Sequence, residues 1–402
     1  MANAAEKLPP EESPSGVGLD DLRDLVKRCL GTLETLRSLG MTPDREKRLI
    51  KRYRAQRVAE MVGFSRTKVT PAIAALGLEQ DVDPDTGRKV GYSLEQVNQL
   101  RDHLGSRPSR LPHEPCARVA VQSFKGGVAK SVTSVYLAQF LAEKGYRVLI
   151  VDCDPQASAT SSFGYVPDIA FNVKHTMAPC IRGEQDTLHY AILHTYFDGV
   201  DLVPSCLGLN DLDFALFDAV ANAQPGEDAS DFYHAIDEAI GTVEADYDVI
   251  IMDSAPNLSM MTINILVAAN AVLIPTPPAL YDFASTNQYV QMVDKVMSSI
   301  APGKRYAFLK VMPSKVDRSK KKQVEFLEIM SDKFGKFLLR ESFFAAGAIP
   351  DSASYFQTVF DQPKPDRRVV AMLNQVLGEV ENEICRMWPS KHESLRERGV
   401  LT

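Results

Sequence analysis

The spacing of apolar positions along the 402 residues changes character twice. From Leu19 onward, Leu22, Leu25, Val26, Leu30, Leu33 and Leu36 recur at steps of three and four, which predicts a helix with one apolar face over 19–40. Such a helix needs a partner, either the rest of its own chain or the same helix of a second chain. Shorter helical patterns follow over 55–62 and, after a turn at Gly63-Phe64, from an N-cap at Ser65 through Leu76. Residues 83–89 read as a turn between short extended pieces, and Ser93 caps a helix reaching His103. Residues 105–115 hold three prolines and two arginines without an apolar period, which makes 106–115 a linker. Beyond it strand and helix alternate. Strands are predicted over 117–124, 146–153, 200–204, 247–252, 271–275, 306–312 and 337–339, the order of an α/β fold with a doubly wound, mostly parallel sheet. Val370, Leu373, Val376, Leu377, Val380 and Ile384 close the series with an amphipathic helix over 367–388, its polar side crowded by Glu379, Glu381 and Glu383.

Composition narrows the class. Hydrophobic residues at 45% and charged ones at 24% describe an ordinary soluble globular chain. Residues 1–18, rich in Pro, Glu, Ser and Gly, read as disordered, and 391–402 as a tail. The six cysteines form no C-x-x-C pair, which argues against a disulfide framework or zinc ribbon and for a reducing cytoplasm. Neither an export signal nor a membrane span is expected, since no run of about 18 apolar residues occurs. The net charge of −7 hides an asymmetry: residues 45–110 carry fourteen basic and eight acidic side chains, a local +6. That excess turns the helix-turn-helix pattern of 45–105 toward DNA, with Arg66, Thr67 and Lys68 in the first turn of the second helix where a recognition helix meets base edges. Arg88 and Lys89 would sit on phosphates. A small helical packing domain is the plainer alternative.

The candidate chemistry follows the first predicted strand of the 116–390 domain. In Phe124-Lys125-Gly126-Gly127-Val128-Ala129-Lys130-Ser131, two glycines let the backbone fold tightly with its N–H groups inward, and a helix N-terminus behind them favours anionic phosphate. Lys130 is placed to reach the outer phosphates and the Ser131 hydroxyl to ligate Mg²⁺, as in the strand, G-x-x-x-x-G-K-[ST], helix arrangement. Ala129 stands at that pattern's second glycine, and Ser123 or Phe124 at its first. A Gly-Gly turn between solvated lysines is the alternative. Asp152 and Asp154 follow the second strand, on the ligand-binding edge of an open parallel sheet. Asp253 ends the apolar run Val249-Ile250-Ile251-Met252, where one carboxylate beside the phosphates holds Mg²⁺, usually through water. Lys315, Arg318, Lys320, Lys321 and Lys322, with Arg340, form either a surface for duplex phosphates or a solvated loop.

Lys-Gly-Gly-Val-Ala-Lys-Ser resembles the deviant Walker A loop, K-G-G-x-x-K-[ST], of the ParA/MinD family of ATPases. Asp152-Cys153-Asp154-Pro155-Gln156 through Thr160 resembles that family's switch segment D-x-D-P-Q-x-x-x-T. The resemblance implies a P-loop ATPase domain in which Lys125, Gly126, Gly127, Val128, Ala129, Lys130, Ser131 and Val132 bind ATP or ADP. By the same resemblance Lys125 reaches a partner's phosphates across a nucleotide-sandwiched homodimer. It further implies that Asp154 orients the attacking water, that Asp152 supports the Mg²⁺ shell behind Ser131 and Asp253, and that Pro277 and Pro278 flank adenine. For the two prolines, a rigid turn without contact is as good a reading. The 45–105 order of helix-turn-helix, basic hairpin and helix resembles the MerR-like winged helix. The whole then looks like the larger ParA proteins of plasmids: slow Mg²⁺-dependent ATPases that bind an operator, coat DNA as ATP dimers and answer to a ParB-type centromere-binding partner. A nucleotide-responsive repressor without a partition role remains an alternative. So does a MinD-like positioning ATPase, although residues 395–402 offer no membrane-targeting tail and an acidic helix face repels anionic lipid.

Overall fold

All ten residues of β4 (Val148–Asp152) and β7 (Val249–Asp253) are buried, as strands covered by helices on both faces must be. In this computed structural model, which describes residues 18–38, 51–83, 86–222, 231–349, 357–362 and 364–401, they lie side by side at the centre of a seven-stranded sheet. The sheet runs β5-β6-β4-β7-β3-β8-β9, where β3 is Ala117–Val121, β5 Leu193–His194, β6 Val200–Val203, β8 Ala271–Thr276 and β9 Phe308–Pro313. Every pairing is parallel except the edge pair β5–β6, a two-residue strand too short to carry a sequence signal. The strand expected over 337–339 is a single bridge from Leu338 to Val311 behind a 3₁₀ turn at Gly335–Phe337.

Side-chain alternation sorts the core. Val119, Val121, Ile150, Leu202, Ile251 and Leu273 point to one face, under α5 (Lys130–Lys144) and the long helix Arg367–Arg386. Ala120, Leu149, Val151, Val203, Ile250 and Met252 point to the other, under α8 (Asn210–Ala221), α9 (Asp231–Gly241) and α10 (Met260–Ala268). The three glutamates of the long helix are not a free acidic face. Glu379 accepts from the Arg340 and Glu341 amides, Glu381 pairs with Lys144 and the Tyr146 hydroxyl, and Glu383 with Lys310 and Arg386. Nor is 391–402 a loose tail: His392–Glu397 is helical and Leu395 is fully buried. Among the described residues no helix is long and apolar enough to cross a membrane.

In front of the sheet, α2 (Ala55–Val62) turns at Gly63 into α3 (Arg66–Ala75), β1 (Asp81–Val82) pairs antiparallel with β2 (Lys89–Gly91), and α4 (Leu94–Leu104) follows under a Ser93–Gln96 capping box. Ser65 holds the N-cap position of α3 without capping it, its hydroxyl facing that of Thr67 instead. The helix α1 (Leu19–Ser38) exposes Leu19, Leu22, Leu25, Val26 and Leu30, so that every described large apolar side chain of its face is exposed. Residues 1–17 and 39–50, the Leu33 and Leu36 side chains, and Pro84-Asp85 of the expected turn lie outside the described residues.

The expected linker is a strap. Arg107 donates to the Gly145 carbonyl at 2.9 Å, and Arg110 to the carbonyls of Tyr247, Glu114 and Glu244 at 3.0, 2.7 and 2.8 Å. Trp388 donates to the Pro115 carbonyl at 2.8 Å. One hydrophobic cluster runs from Val58, Val69 and Leu100 into α5 and the sheet. At its centre Arg101, 1% exposed, donates to Asn98 Oδ1 at 2.6 Å, the Met61 carbonyl at 3.3 Å and the Glu143 carbonyl at 2.8 Å. Gly145 lies against it with φ 113°, and a Cβ there would stand 2.9 Å from Pro108 and 3.1 Å from Arg101. Removing the guanidinium strands two half-buried carbonyls and the buried Asn98 oxygen, so Arg101→Ala is expected to cost about 2–4 kcal/mol, read as a lowered urea midpoint. A loss below about 0.5 kcal/mol would show that the junction does not lean on this side chain.

Candidate functional site

The sheet's carboxyl edge is where the polar loops converge. Leaving β3, the chain bends through Gly127 (φ 72°) and Ala129 (φ 80°) before α5 begins at Lys130. Glycine takes that left-handed backbone freely, whereas Ala129 takes it at a cost of about 1 kcal/mol. The loop is held from outside by Ser314 Oγ on the Val128 carbonyl at 2.9 Å, and Lys130 Nζ folds back to the Lys125 carbonyl at 3.2 Å. Lys130 is 7% exposed; burial lowers its pKa, opposed by the negative charges of Asp253 and Asp154. Gly126 and Gly127 are exposed, while Ser131 and Val132 are half-buried on the first turn of α5.

Asp152 and Asp253 end adjacent strands in register, both with no solvent exposure. Burial raises the Asp152 pKa first and the charge of Asp253 adds to it. Its direct bonds are internal: Oδ2 accepts from the Thr160 amide at 2.8 Å and the Thr160 hydroxyl at 2.7 Å, and Oδ1 from the Asp154 amide at 3.2 Å. Burial likewise raises the Asp253 pKa, while the neighbouring Ser131 and Ser134 hydroxyls pull it back. Ser134 donates to Asp253 Oδ1 at 2.8 Å; Oδ2 is buried with no hydrogen-bond partner. A lone buried carboxylate oxygen beside Lys130 suits a small hard cation that completes its shell with phosphate oxygens and water. Among the described residues no three His, Cys, Asp or Glu side chains are grouped to hold a metal unaided. Asp154, 7% exposed, accepts the Gln156 amide at 2.9 Å and faces the same edge.

Lys125 does not project from the chain. Its Nζ lies 2.8 Å from Asp282 Oδ1, on the first turn of α11 (Leu280–Ile300), which ties the phosphate loop to the proline loop. In that loop Pro277 is half-buried and Pro278 buried, and the Ala279 amide donates back to the Pro277 carbonyl. The same helix braces the loop from below, with Tyr289 edge-on to Phe124 and its hydroxyl 2.7 Å from Gln122 Oε1.

The basic candidates fall on separate elements. Arg66, Thr67 and Lys68 are exposed on the first turn of α3, with Lys68 Nζ 3.5 Å over the Phe64 ring. Arg88 and Lys89 are exposed at the hairpin. Lys320 pairs with Asp317 at 3.5 Å and Lys321 with Glu325 at 3.7 Å at the start of α12 (Lys321–Phe334); Lys322 and Arg340 are exposed. Ser134, Ser205 and Asp282 join the site without having been named above, and Thr160 closes the switch segment quoted there. Of the three, Ser134 offered a signal, a hydroxyl one helical turn beyond Lys130.

A family model described as "AAA domain" matches residues 117–303. Protein SopA of Escherichia coli (strain K12) is 33% identical over 321 residues, which cover 79% of this chain and 82% of that one. A solved structure described as "Partition Protein" superposes with a TM-score of 0.66 at 20% identity, covering 91% of this chain and 99% of that one, a likeness of fold. Cobyrinic acid a,c-diamide synthase from Mycobacterium smegmatis, solved with an ATP analogue and magnesium, superposes with a TM-score of 0.50 at 25% identity over 60% of this chain and 91% of its own. With the phosphate loop, the paired strand-end aspartates and a relative matched over most of both lengths, the chain belongs to the ParA-type partition ATPases of the ParA/MinD P-loop family.

Proposed function

We propose that this chain hydrolyses ATP slowly and uses the nucleotide as a switch between a single-chain form and a DNA-bound dimer that positions a replicon. The observation that carries the reading is the gathering of Lys125, Lys130, Asp154 and Asp253 on one sheet edge around the glycine loop. The loop amides and Lys130 neutralise charge on the transferring phosphoryl group, and Asp154 orients the attacking water, so that rate comes from placement and electrostatics. Ser131 and Asp253 would hold Mg²⁺, with Asp152 behind them through water, and the ion would supply further neutralisation of the phosphate oxygens. The unpartnered Asp253 oxygen and the synthase's bound ATP analogue and magnesium support that assignment. Lys125, paired with Asp282 in the single chain, is the residue available to reach a second subunit's phosphates. A ParB-type partner would accelerate hydrolysis and so release the dimer from DNA.

For DNA, the first turn of α3 is assigned to the major groove, with Arg66 and Thr67 toward base edges and Arg88 and Lys89 on phosphates, as an operator-binding autorepressor requires. The exposed apolar face of α1 supports pairing with the same helix of a second chain. Lys320, Lys321, Lys322 and Arg340 are assigned to sequence-independent contacts. Lysines in the first turn of α12 stand against the helix dipole, a placement that bound phosphate relieves. Work would be done at the nucleoid, in the cytoplasm.

Lys130→Ala is expected to abolish ATP binding, whereas Asp154→Ala should keep ATP affinity and lose most turnover. Titration with a fluorescent ATP analogue beside a phosphate-release assay separates the two, and unchanged turnover in Asp154→Ala would remove the switch assignment. On DNA, Arg66→Ala should relax preference for the operator by about 1–3 kcal/mol. Arg88→Ala or Lys89→Ala should instead weaken all duplexes alike and flatten the salt dependence by about one unit of slope. Equal binding of operator and random duplex by the intact ADP-bound protein would overturn the operator half of the proposal.

A further inference from the structure

Ser205 lies just past β6, fully buried, in a stretch that carries no recognisable motif. Its hydroxyl donates to the Asp154 carbonyl at 2.7 Å, and its amide donates to Thr160 Oγ1 at 3.0 Å. Thr160 Oγ1 in turn donates to Asp152 Oδ2 at 2.7 Å, and Asp152 Oδ1 accepts the Asp154 amide at 3.2 Å. The four residues close a ring: Asp154 to Asp152, to Thr160, to Ser205, and back to Asp154. The ring spans β4, the short helix Ser158–Ser162 and the β6 loop, and it holds the Asp154 backbone on both sides, at its N–H and at its C=O.

From this ring we infer that Ser205 is a positioning residue for hydrolysis, one that fixes the backbone of Asp154 and thereby the place where its carboxylate holds water. The inference rests on the reading of Asp154 as the water-orienting residue. Two features separate it from ordinary core packing. First, the Asp154 carbonyl has a second donor, the Ala157 amide at 2.8 Å, so deleting the Ser205 hydroxyl leaves no orphaned acceptor and small cost to the fold. Second, Ala157 sits at φ 52°, a left-handed turn three residues after the switch aspartate, which without the Ser205 hydroxyl is tied only within its own loop, by the Ala157 amide on the Asp154 carbonyl and the Gln156 amide on the Asp154 carboxylate. Without the hydroxyl, the Asp154 carbonyl loses its one bond to the β6 loop and gains room to shift about that turn. A displacement well under 1 Å is enough to slow a reaction that depends on alignment by tenfold or more. The phosphate loop, Lys130 and Asp253 are untouched by the change, so ground-state nucleotide binding should be untouched as well.

The test uses the full chain as Ser205→Ala, Asp154→Ala and the double variant, with kcat and KM for ATP, affinity for a fluorescent ATP analogue, and the melting temperature measured for each. Ser205→Ala should lower kcat by about tenfold or more while KM and analogue affinity stay within about twofold and melting is little changed. The double variant should be no slower than Asp154→Ala alone, because the serine acts only through the aspartate. A kcat within twofold of the parent, a loss that tracks analogue affinity, or a double variant slower by the full product of the two single effects would each overturn the inference. If Asp154→Ala itself turns over at the parental rate, the reading of Asp154 has failed and this inference falls with it. If Asp154→Ala is slow and Ser205→Ala is not, only the role of Ser205 has failed. Ser205→Cys, close in size and a weak donor, serves as the second variant should the alanine not fold: it must also be slow, and parental turnover in it would overturn the assignment.

Discussion

Two carboxylates with no solvent exposure, side by side at the ends of adjacent parallel strands, are the constraint around which this molecule is built. Burial alone would drive protons onto both. The fold answers each differently. Asp152 is saturated by hydrogen bonds from Thr160 and Asp154 and becomes a brace. Asp253 is satisfied on one oxygen by Ser134 and left bare on the other, next to the buried charge of Lys130. The asymmetry leaves one strand-end aspartate engaged within the chain on both oxygens and the other with one oxygen uncommitted, although the two look equivalent along the sequence.

One helix transmits that site to the rest of the protein. α5 starts at Lys130 against the phosphate loop and carries in its last turn Glu143, whose carboxylate takes Lys51 and the Tyr53 hydroxyl and whose carbonyl takes Arg101. The helix is buried between sheet and Arg367–Arg386 along most of its length, so it behaves as a rigid member. A module that reads as a separate domain by charge is therefore seated on the far end of the nucleotide-binding helix. The strap of Arg107 and Arg110 follows the same logic, using guanidinium forks to cap carbonyls that helix and strand ends leave exposed.

How much was legible can be argued from particular elements. The helix Arg367–Arg386 and the strands around Asp152 and Asp253 stand where their apolar periods put them, because burial on one or both faces imposes a period that survives any detail of packing. The element expected at 337–339 fails because a three-residue apolar run has no period to read, and a 3₁₀ turn takes its first residue. The glutamates at 379, 381 and 383 read as a solvated face because composition registers charge but not the distant cation or amide that meets it.

The sequence by itself determined the order of elements, the parallel sheet class, the position of the phosphate loop and the identity of the acids at two strand ends. These are properties of spacing within a few residues, where local sterics and periodic burial act. Only the tertiary structure decided that Lys125 rests on Asp282, that Arg101 donates to a carbonyl in the last turn of α5, and that Ser134 and Ser205 donate to the Asp253 carboxylate and the Asp154 carbonyl. Those partners are 42 to 157 residues apart. A hydroxyl or guanidinium acquires such a role only when folding brings one buried donor to one buried acceptor, and no local pattern marks the residue beforehand.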